Sequence, residues 1–600
     1  MSKRFPKMGW VMLVALLCLS LSILPACGEG EGEGEEIPLL NPGDFVQETI
    51  GDMDTLDPHW AYDTASGEQI QYIYEPLVWY DEDSVDQFVG RVAVNWTFVN
   101  ETQVRMCIRE GMQFHSGNTL TPADVEYSFE RALVMDRAGG PTWMFNVPFL
   151  GHSRTRYSNG TIRPDVTWAV IDNAVEVDGD CVVFNMLPDF AYGPVIFLQV
   201  MCNTWASILD RDWCIANGEW PQSGGNWTLY NNPQKQDSYL YEHASGTGKW
   251  KVGTWAKTSQ ITLNRNEDYW GGNASVPFNH VITKWVQEWS SRKLSLLAGE
   301  ADHIYVPRQY MNEIIDVADL LKYADLPDLA IECLFFNFNI SASSPYIGSG
   351  AYDGNGIPVD FFKDLDVRKA MNYVFDWDTF ISDLYMGEAE QRGSPIVAGV
   401  AGYNPAASKY SHCMTLAKYH FEHSATYGNL SNTGFKFTVV YNTGNTIRQG
   451  ACEILAENLL EISENFQVSV QPMMWSTFLD TIMHEPTSEL AMFCVGWICD
   501  YPDADNFASP FMHSFGDYSY FQHYGNSTMD ALIETARFST NITERTNIYY
   551  QLQEMYYNDP AGVVLAQAKG RRFFTKYIHG FYFNPTIPGN PGPLWDMSKS

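Results

Sequence analysis

Phe435, Phe437, Val439 and Tyr441 occupy alternate positions, the period of a strand with one buried face, which predicts a strand over 435–442. Ala451, Ile454, Leu455 and Leu459 then recur at helical spacing and predict a helix over about 448–464. Val468 and Val470 mark another strand, and the apolar run 490–495 reads as a buried one. Strand, helix and strand in close succession predict a right-handed βαβ crossover in a largely parallel sheet. Ligands in such sheets sit outside the carboxyl ends of the strands, so the loop after 490–495 is a candidate ligand loop. Earlier in the chain, Thr121-Pro122-Ala123-Asp124 reads as a helix start, with a capping threonine, Pro at the first position and an acid at the third. Val125, Phe129, Ala132 and Leu133 then share one face of that helix. Asp366 precedes a second helix whose buried stripe is Val367, Ala370, Met371 and Val374. No short internal repeat is visible, which argues against a solenoid or propeller.

The first segment has a different pattern. Lys3, Arg4 and Lys7 precede an apolar run over 11–24, broken by Cys18, Ser20 and Ser22. Such a run fits the core of a signal peptide better than a permanent span. It closes on Leu24-Pro25-Ala26-Cys27, which resembles a lipoprotein signal with Cys27 as the lipidated first residue of the mature chain, although Pro25 is an unusual occupant. The Gly/Glu tract over 28–36 has no apolar residue to bury and is expected to act as a flexible tether. The remainder exceeds what one hydrophobic core supports, so two or more domains are expected.

Composition narrows the function classes. The hydrophobic fraction of 45% is that of a globular protein, and no second apolar run is long enough to cross a membrane. A net charge of −35 argues against nucleic acid and against charge-driven adhesion to anionic lipid. Beyond Cys18 and Cys27 there are cysteines at 107, 181, 202, 214, 333, 413, 452, 494 and 499. In an oxidising compartment some of these should pair, but the spacing fixes no connectivity.

Enzyme motifs are missing. Gly246-Thr247-Gly248-Lys249 lacks the earlier glycine of a phosphate loop, where His243 stands, and Trp250 replaces the Ser or Thr that should follow the lysine. His484-Glu485 lacks the second histidine of a zinc protease, and no GxSxG elbow is present. His412, His420, His423 and His513 are scattered, and Asp503 and Asp505 read as turn residues. No cofactor and no metal are expected.

A series of fragments carries a resemblance. In order they are Thr55-Leu56-Asp57-Pro58-His59, Tyr74-Glu75-Pro76-Leu77-Val78, 108–117 (IREGMQFHSG) and the helix 121–131. Gly246-Thr247-Gly248, 264–270 (NRNEDYW), 297–302 (LAGEAD), Asp366-Val367-Arg368-Lys369-Ala370 and 496–503 (GWICDYPD) follow. Together they resemble the family 5 extracytoplasmic solute-binding proteins, the oligopeptide, dipeptide and nickel binders of ABC importers. The resemblance implies an α/β, two-lobed periplasmic-binding-protein fold of type II, in the large form with an extra subdomain in the first lobe and the ligand cleft between lobes. The implied organisation is a lipoprotein signal over 1–27 and a tether over 28–36. Lobe I takes 37–85, 246–329 and 570–600, its extra subdomain 86–245, and lobe II 330–569. Most matching residues are expected to be scaffold: Asp57-Pro58 as a turn, Gly246 and Gly248 as backbone bends, Arg368 in a local ion pair.

Four positions are implied as ligand contacts. Asp500 matches the aspartate that pairs with the ligand's α-ammonium in peptide-binding members, Trp497 and Trp475 match aromatic pocket walls, and Tyr62 lies where the first lobe reaches the cleft. Cys494 stands where some oligopeptide binders place an arginine for the ligand's carboxylate, and Arg448 is a candidate substitute. Cys333 and Cys499 lie close to positions joined by a disulfide in some members. The expected function is capture of di- to oligopeptides by lobe closure and delivery to an ABC permease and its ATPase subunits. The expected molecule is a monomer, held to the outer face of the cytoplasmic membrane by its lipid. The alternatives are another solute in the same fold (an oligosaccharide, an opine-like compound or a chelated metal) or a surface sensor or adhesion module.

Overall fold

The computed structural model describes residues 36–600 apart from 158, 484–486, 540, 588 and 590. The expected signal peptide, Cys27, nearly all of the tether and His484-Glu485 therefore lie outside the described residues.

Among the described residues, three sheets of four or more strands organise the chain. A seven-stranded sheet runs in the order Leu320–Leu326, Gly570–Thr575, His303–Ile304, Asp44–Thr49, His280–Trp285, Gln260–Arg265 and Trp250–Ala256. Asp44–Thr49 is parallel to both of its neighbours, and the other pairings are antiparallel. A five-stranded sheet has the order Phe466–Met473, Phe435–Asn442, Met492–Ile498, Ala330–Phe336 and Gly562–Val564. The four strands Ala93–Phe98, Gln103–Ile108, Cys181–Asn185 and Val175–Asp178 form an antiparallel sheet inserted between early strands of the first.

The expected βαβ unit is present. Phe435–Asn442 is parallel to Phe466–Met473 on one side and to Met492–Ile498 on the other, with the helix Thr446–Ile462 between the first two in sequence. The sheet as a whole is mixed, not largely parallel, because Ala330–Phe336 runs antiparallel to both of its neighbours. That strand enters from the first sheet, and the direction of entry sets its polarity. The helix Pro122–Met135 begins as its sequence predicts: the Asp124 carboxylate accepts from Thr121 N at 2.8 Å. The second helix is Leu365–Val374, and its cap is Asp364, not Asp366; Asp366 sits in the first turn and meets His420 Nδ1 at 2.8 Å.

Hydrophobic burial follows the sheets. One core gathers the inserted sheet and most of the first sheet, and a second surrounds the five-stranded sheet. Tyr62 packs against both. The chain crosses between the sheets after Leu326 and again before Gly570. The two crossings are tied together where Gln567 Nε2 donates to Asp328 O at 3.0 Å.

The resembling fragments are mostly scaffold, and they hold each other. Glu75 accepts from Thr247 Oγ1 at 2.9 Å, Tyr269 Oη at 2.9 Å and Trp270 Nε1 at 2.7 Å, so one buried carboxylate joins three of the fragments. Gly246 and Gly248 are required by close approach: a Cβ would lie 2.2 Å from Ile73 O or 2.4 Å from Tyr72 O. Asp57 forms a buried ion pair with Arg131 at 2.8 Å, and Glu219 meets the same guanidinium at 2.8 Å. Arg368 pairs with Asp559 at 2.6 Å across a separation of 191 residues, so its ion pair is long-range, not local. Asp503 and Asp505 do more than turn the chain, since they pair with Arg545 at 2.6 Å and Arg537 at 3.0 Å.

The cysteines also differ from expectation. Cys107 and Cys181 stand directly opposite on paired strands and form a disulfide. Cys333 and Cys499 are both free and buried. Cys333 faces Val495 across an antiparallel pair, while Cys499 N donates to Leu329 O, four residues along. Four extended residues span roughly 13 Å, beyond the ~7 Å a disulfide bridges.

Candidate functional site

The end of Met492–Ile498 delivers Trp497, Cys499 and Asp500 to a cavity of about 430 Å³ whose walls come from both cores. The segment before the helix Thr64–Ile73 supplies Tyr62 and Asp63 from the other side, and the helix Trp475–Ile482 supplies Trp475. All four expected contact residues, Asp500, Trp497, Trp475 and Tyr62, therefore line one cavity.

Asp500 is the best-positioned acid. Its Oδ2 accepts from Tyr62 Oη at 2.9 Å and from Asn506 Nδ2 at 2.9 Å. Asn506 also accepts from Asp500 N at 2.6 Å, so the loop is held by one side chain at both ends. Asn203 Nδ2 donates to Asp500 O at 3.0 Å. Burial disfavours the charged carboxylate and pushes it up to about 7, against the opposing pull of Asn506 and Tyr62. No cation among the described residues forms an ion pair with it.

Aromatic rings frame this acid. Tyr62 meets Trp497 edge-on at 5.4 Å and Trp205 at 5.7 Å, and its hydroxyl accepts from Trp143 Nε1 at 3.0 Å. Trp475 Nε1 donates to Asp63 Oδ1 at 3.2 Å, and the Arg448 guanidinium lies 5.8 Å from its ring. The indole nitrogens of Trp497 and Trp205 are buried without a partner. Flat walls of this kind cover varied side chains without demanding one shape.

Arg448 lines the cavity, but it is engaged already. Its Nε and Nη2 meet Glu332 at 2.9 and 3.2 Å, and Nη1 donates to Asn442 at 2.9 Å. Cys494, at the position where an arginine was sought, is buried. Sequence reasoning passed over Asp517, Arg572, Asp328 and Glu332, which share the wall. Asp517 follows a glycine in a stretch with no periodicity, and nothing local marks it as a cavity residue. Among the described residues no group of three or more His, Cys, Asp or Glu side chains is placed to hold a metal ion, and no helix is long and apolar enough to cross a membrane.

The model of the bacterial extracellular solute-binding proteins, family 5 Middle, matches residues 87–519. Over 549 residues the chain is 23% identical to the probable D,D-dipeptide-binding periplasmic protein DdpA of Escherichia coli (strain K12), covering 89% of this chain and 90% of that protein. It is 23% identical over 533 residues to heme-binding protein A of Haemophilus influenzae, covering 87% and 86%. Among solved structures, the periplasmic binding protein DppA from Helicobacter pylori, in complex with the peptide STSA, superposes with a TM-score of 0.71 at 20% identity, covering 93% of this chain and 98% of that one. The fold is accordingly the two-lobed type II periplasmic-binding-protein fold with its cleft between lobes. The chain belongs to the family 5 bacterial extracellular solute-binding proteins, which serve ABC importers.

Proposed function

We propose that this protein captures short peptides by their free amino end and hands them to an ABC permease with its ATPase subunits, without chemistry on the ligand. The observation that carries this reading is Asp500: a buried carboxylate on the cavity wall, fixed by Asn506 and Tyr62 and opposed by no cation among the described residues. An α-ammonium is the complementary group, and a charge-assisted bond to it is strong once water is excluded. Trp497 and Trp475 flank the first residues of the peptide, and Tyr62 reaches across from the first lobe, so occupation and lobe closure are coupled. The lobes follow the division given above, with 37–85, 246–329 and 570–600 moving against 330–569. Cys27 carries the lipid that holds a monomeric binding domain on the outer face of the membrane.

The test is a thermal-shift screen of the domain from residue 37 with pooled short peptides, the same pool N-acetylated, and heme. A ligand at a hundred times its dissociation constant stabilises the native state by about 2.7 kcal/mol. A shift with the free-amine pool alone supports the reading. A shift with heme alone, or with both peptide pools equally, overturns the amine-anchored site.

A further inference from the structure

The triplet Asn-x-Ser/Thr, with x other than proline, occurs nine times in the chain. That is about twice the frequency that its content of asparagine, serine and threonine gives at random. Among the described residues eight asparagines are buried, and none of the eight begins such a triplet. None of the nine triplet asparagines lines the ligand cavity either. The triplets therefore keep out of both the core and the cavity wall. In an exported protein such a surface triplet is the acceptor for an N-linked glycan.

Four of the triplets share one turn, in which the asparagine Oδ1 accepts from the backbone N of the threonine two residues on. Asn100 accepts from Thr102 at 2.8 Å, Asn159 from Thr161 at 3.0 Å, and Asn526 from Thr528 and Asn541 from Thr543 at 3.1 Å. The turn engages the oxygen and leaves the amide nitrogen to its surroundings. Asn100 Nδ2 donates to Gln103 at 3.0 Å, and the Asn526 side chain bonds to the Tyr524 phenol. The amide nitrogens of Asn159 and Asn541 meet no acceptor among the described residues, and in both triplets asparagine and threonine are exposed. Of these two, Asn541 borders an open depression walled by Thr543, Glu544, Asn547, Ile548 and Gln551. Ile542 beside it is 81% exposed. A sugar ring has an apolar face and a rim of hydroxyls. Ile542 offers that face a surface to cover, and Glu544, Asn547 and Gln551 offer the rim donors and acceptors.

We propose that Asn541 is the acceptor of an N-linked glycan whose first sugar lies in this depression. In the transfer, Nδ2 attacks the anomeric carbon of a sugar carried on a lipid-linked phosphate. The new C–N bond replaces the C–O bond, the lipid phosphate leaves with the electron pair, and the Nδ2 proton passes to a base of the transferring enzyme. Helix capping explains Asn541 only in part. Its Oδ1 also accepts from Glu544 N at 3.2 Å and closes the start of the helix Ile542–Asn558. The cap uses the oxygen and the sugar uses the nitrogen, so both hold at once. The assignment is independent of the cavity's ligand and rests on the chain's place in an extracellular family.

The experiment is peptide mass spectrometry of the full protein isolated from its native host, with the variants made in that host. The Asn541 peptide should be heavier by one or more sugar residues. Thr543→Ser should keep that shift and Thr543→Ala should lose it, because the triplet and not the asparagine alone is recognised. Asn541→Asp should also lose it while the circular dichroism of the protein is unchanged, since aspartate accepts the same cap bonds. An unmodified Asn541 peptide from the native protein overturns the proposal, even where another triplet is occupied. A mass shift that survives Asn541→Asp or Thr543→Ala overturns it too.

Discussion

Tyr62 and Asp500, 438 residues apart in the chain, meet in a 2.9 Å hydrogen bond from the phenol to the carboxylate. The bond joins the residue that packs on both cores to the loop after the strand Met492–Ile498. Under the proposed lobe division it is a contact that opening must break. Tyr62→Phe removes it and leaves Trp143 Nε1 without its acceptor. The expected loss in ligand affinity is about 1 kcal/mol, read by calorimetry, with a faster dissociation rate. An unchanged affinity and rate would mean that the bond is not part of the closed, ligand-holding state.

Replacing the carboxylate itself has a larger effect. Asp500→Asn keeps the shape and the bond from Tyr62 but removes the charge. For a free-amine peptide the expected loss is about 2–4 kcal/mol, roughly 30- to 1,000-fold. An N-acetylated peptide already lacks the ammonium, so it should barely distinguish the variant from the native protein. Equal losses for both peptides would remove Asp500 from the role of anchor.

Glu75 provides the contrasting case of a residue in a resembling fragment that acts on stability alone. Its three donors, Thr247, Tyr269 and Trp270, are left unpaired in Glu75→Ala. About 3 kcal/mol of stability should be lost, seen as an earlier urea midpoint, with ligand affinity retained under native conditions. Lost affinity in a variant that remains folded would tie this scaffold to the cleft.

How much of this was legible in the sequence depends on range. The strand Phe435–Asn442 matches its expected bounds, and the helix after it is displaced by two residues at each end, because both rest on local periodicity. Trp475 and Tyr62 lie outside the resembling fragments and rest on the family resemblance alone, whereas Trp497 and Asp500 could be named because they fall inside the short fragment 496–503. Asp559, the partner of Arg368, and Asp517 could not, since each acquires its meaning from a neighbour brought by the fold. The cysteines show the same limit: Cys107 and Cys181 are paired by the register of two strands, and neighbouring sequence carries no trace of that register.

That disulfide is open to direct test. Non-reducing peptide mapping should yield Cys107 linked to Cys181, with Cys333 and Cys499 as free thiols. Cys107→Ser should cost about 2–4 kcal/mol, concentrated in the inserted four-stranded sheet. A linked Cys333–Cys499 peptide would require the register between Ala330–Phe336 and Met492–Ile498 to be different.

The pH dependence follows from Asp500 and Asp517, both pushed by burial from the ordinary carboxylate value of 3.8 up to about 7. In the ligand-free protein each binds its proton more tightly when folded. Their contribution to stability is therefore fully present below about pH 4, the unfolded value, and is lost as the pH rises through about 7. Asn in place of either acid should flatten that slope and raise the melting temperature of the empty protein near pH 8, at the expense of binding. A ligand cation reverses the balance, because it favours the ionised carboxylate. Binding at about pH 6 should release protons, seen as a calorimetric enthalpy that changes with the ionisation enthalpy of the buffer. Affinity should rise with pH until the ligand's own α-amine begins to lose its proton, near pH 7.7–8.0. Affinity that is flat from about pH 5 to about pH 8, with no proton release, would mean that no cation meets either acid.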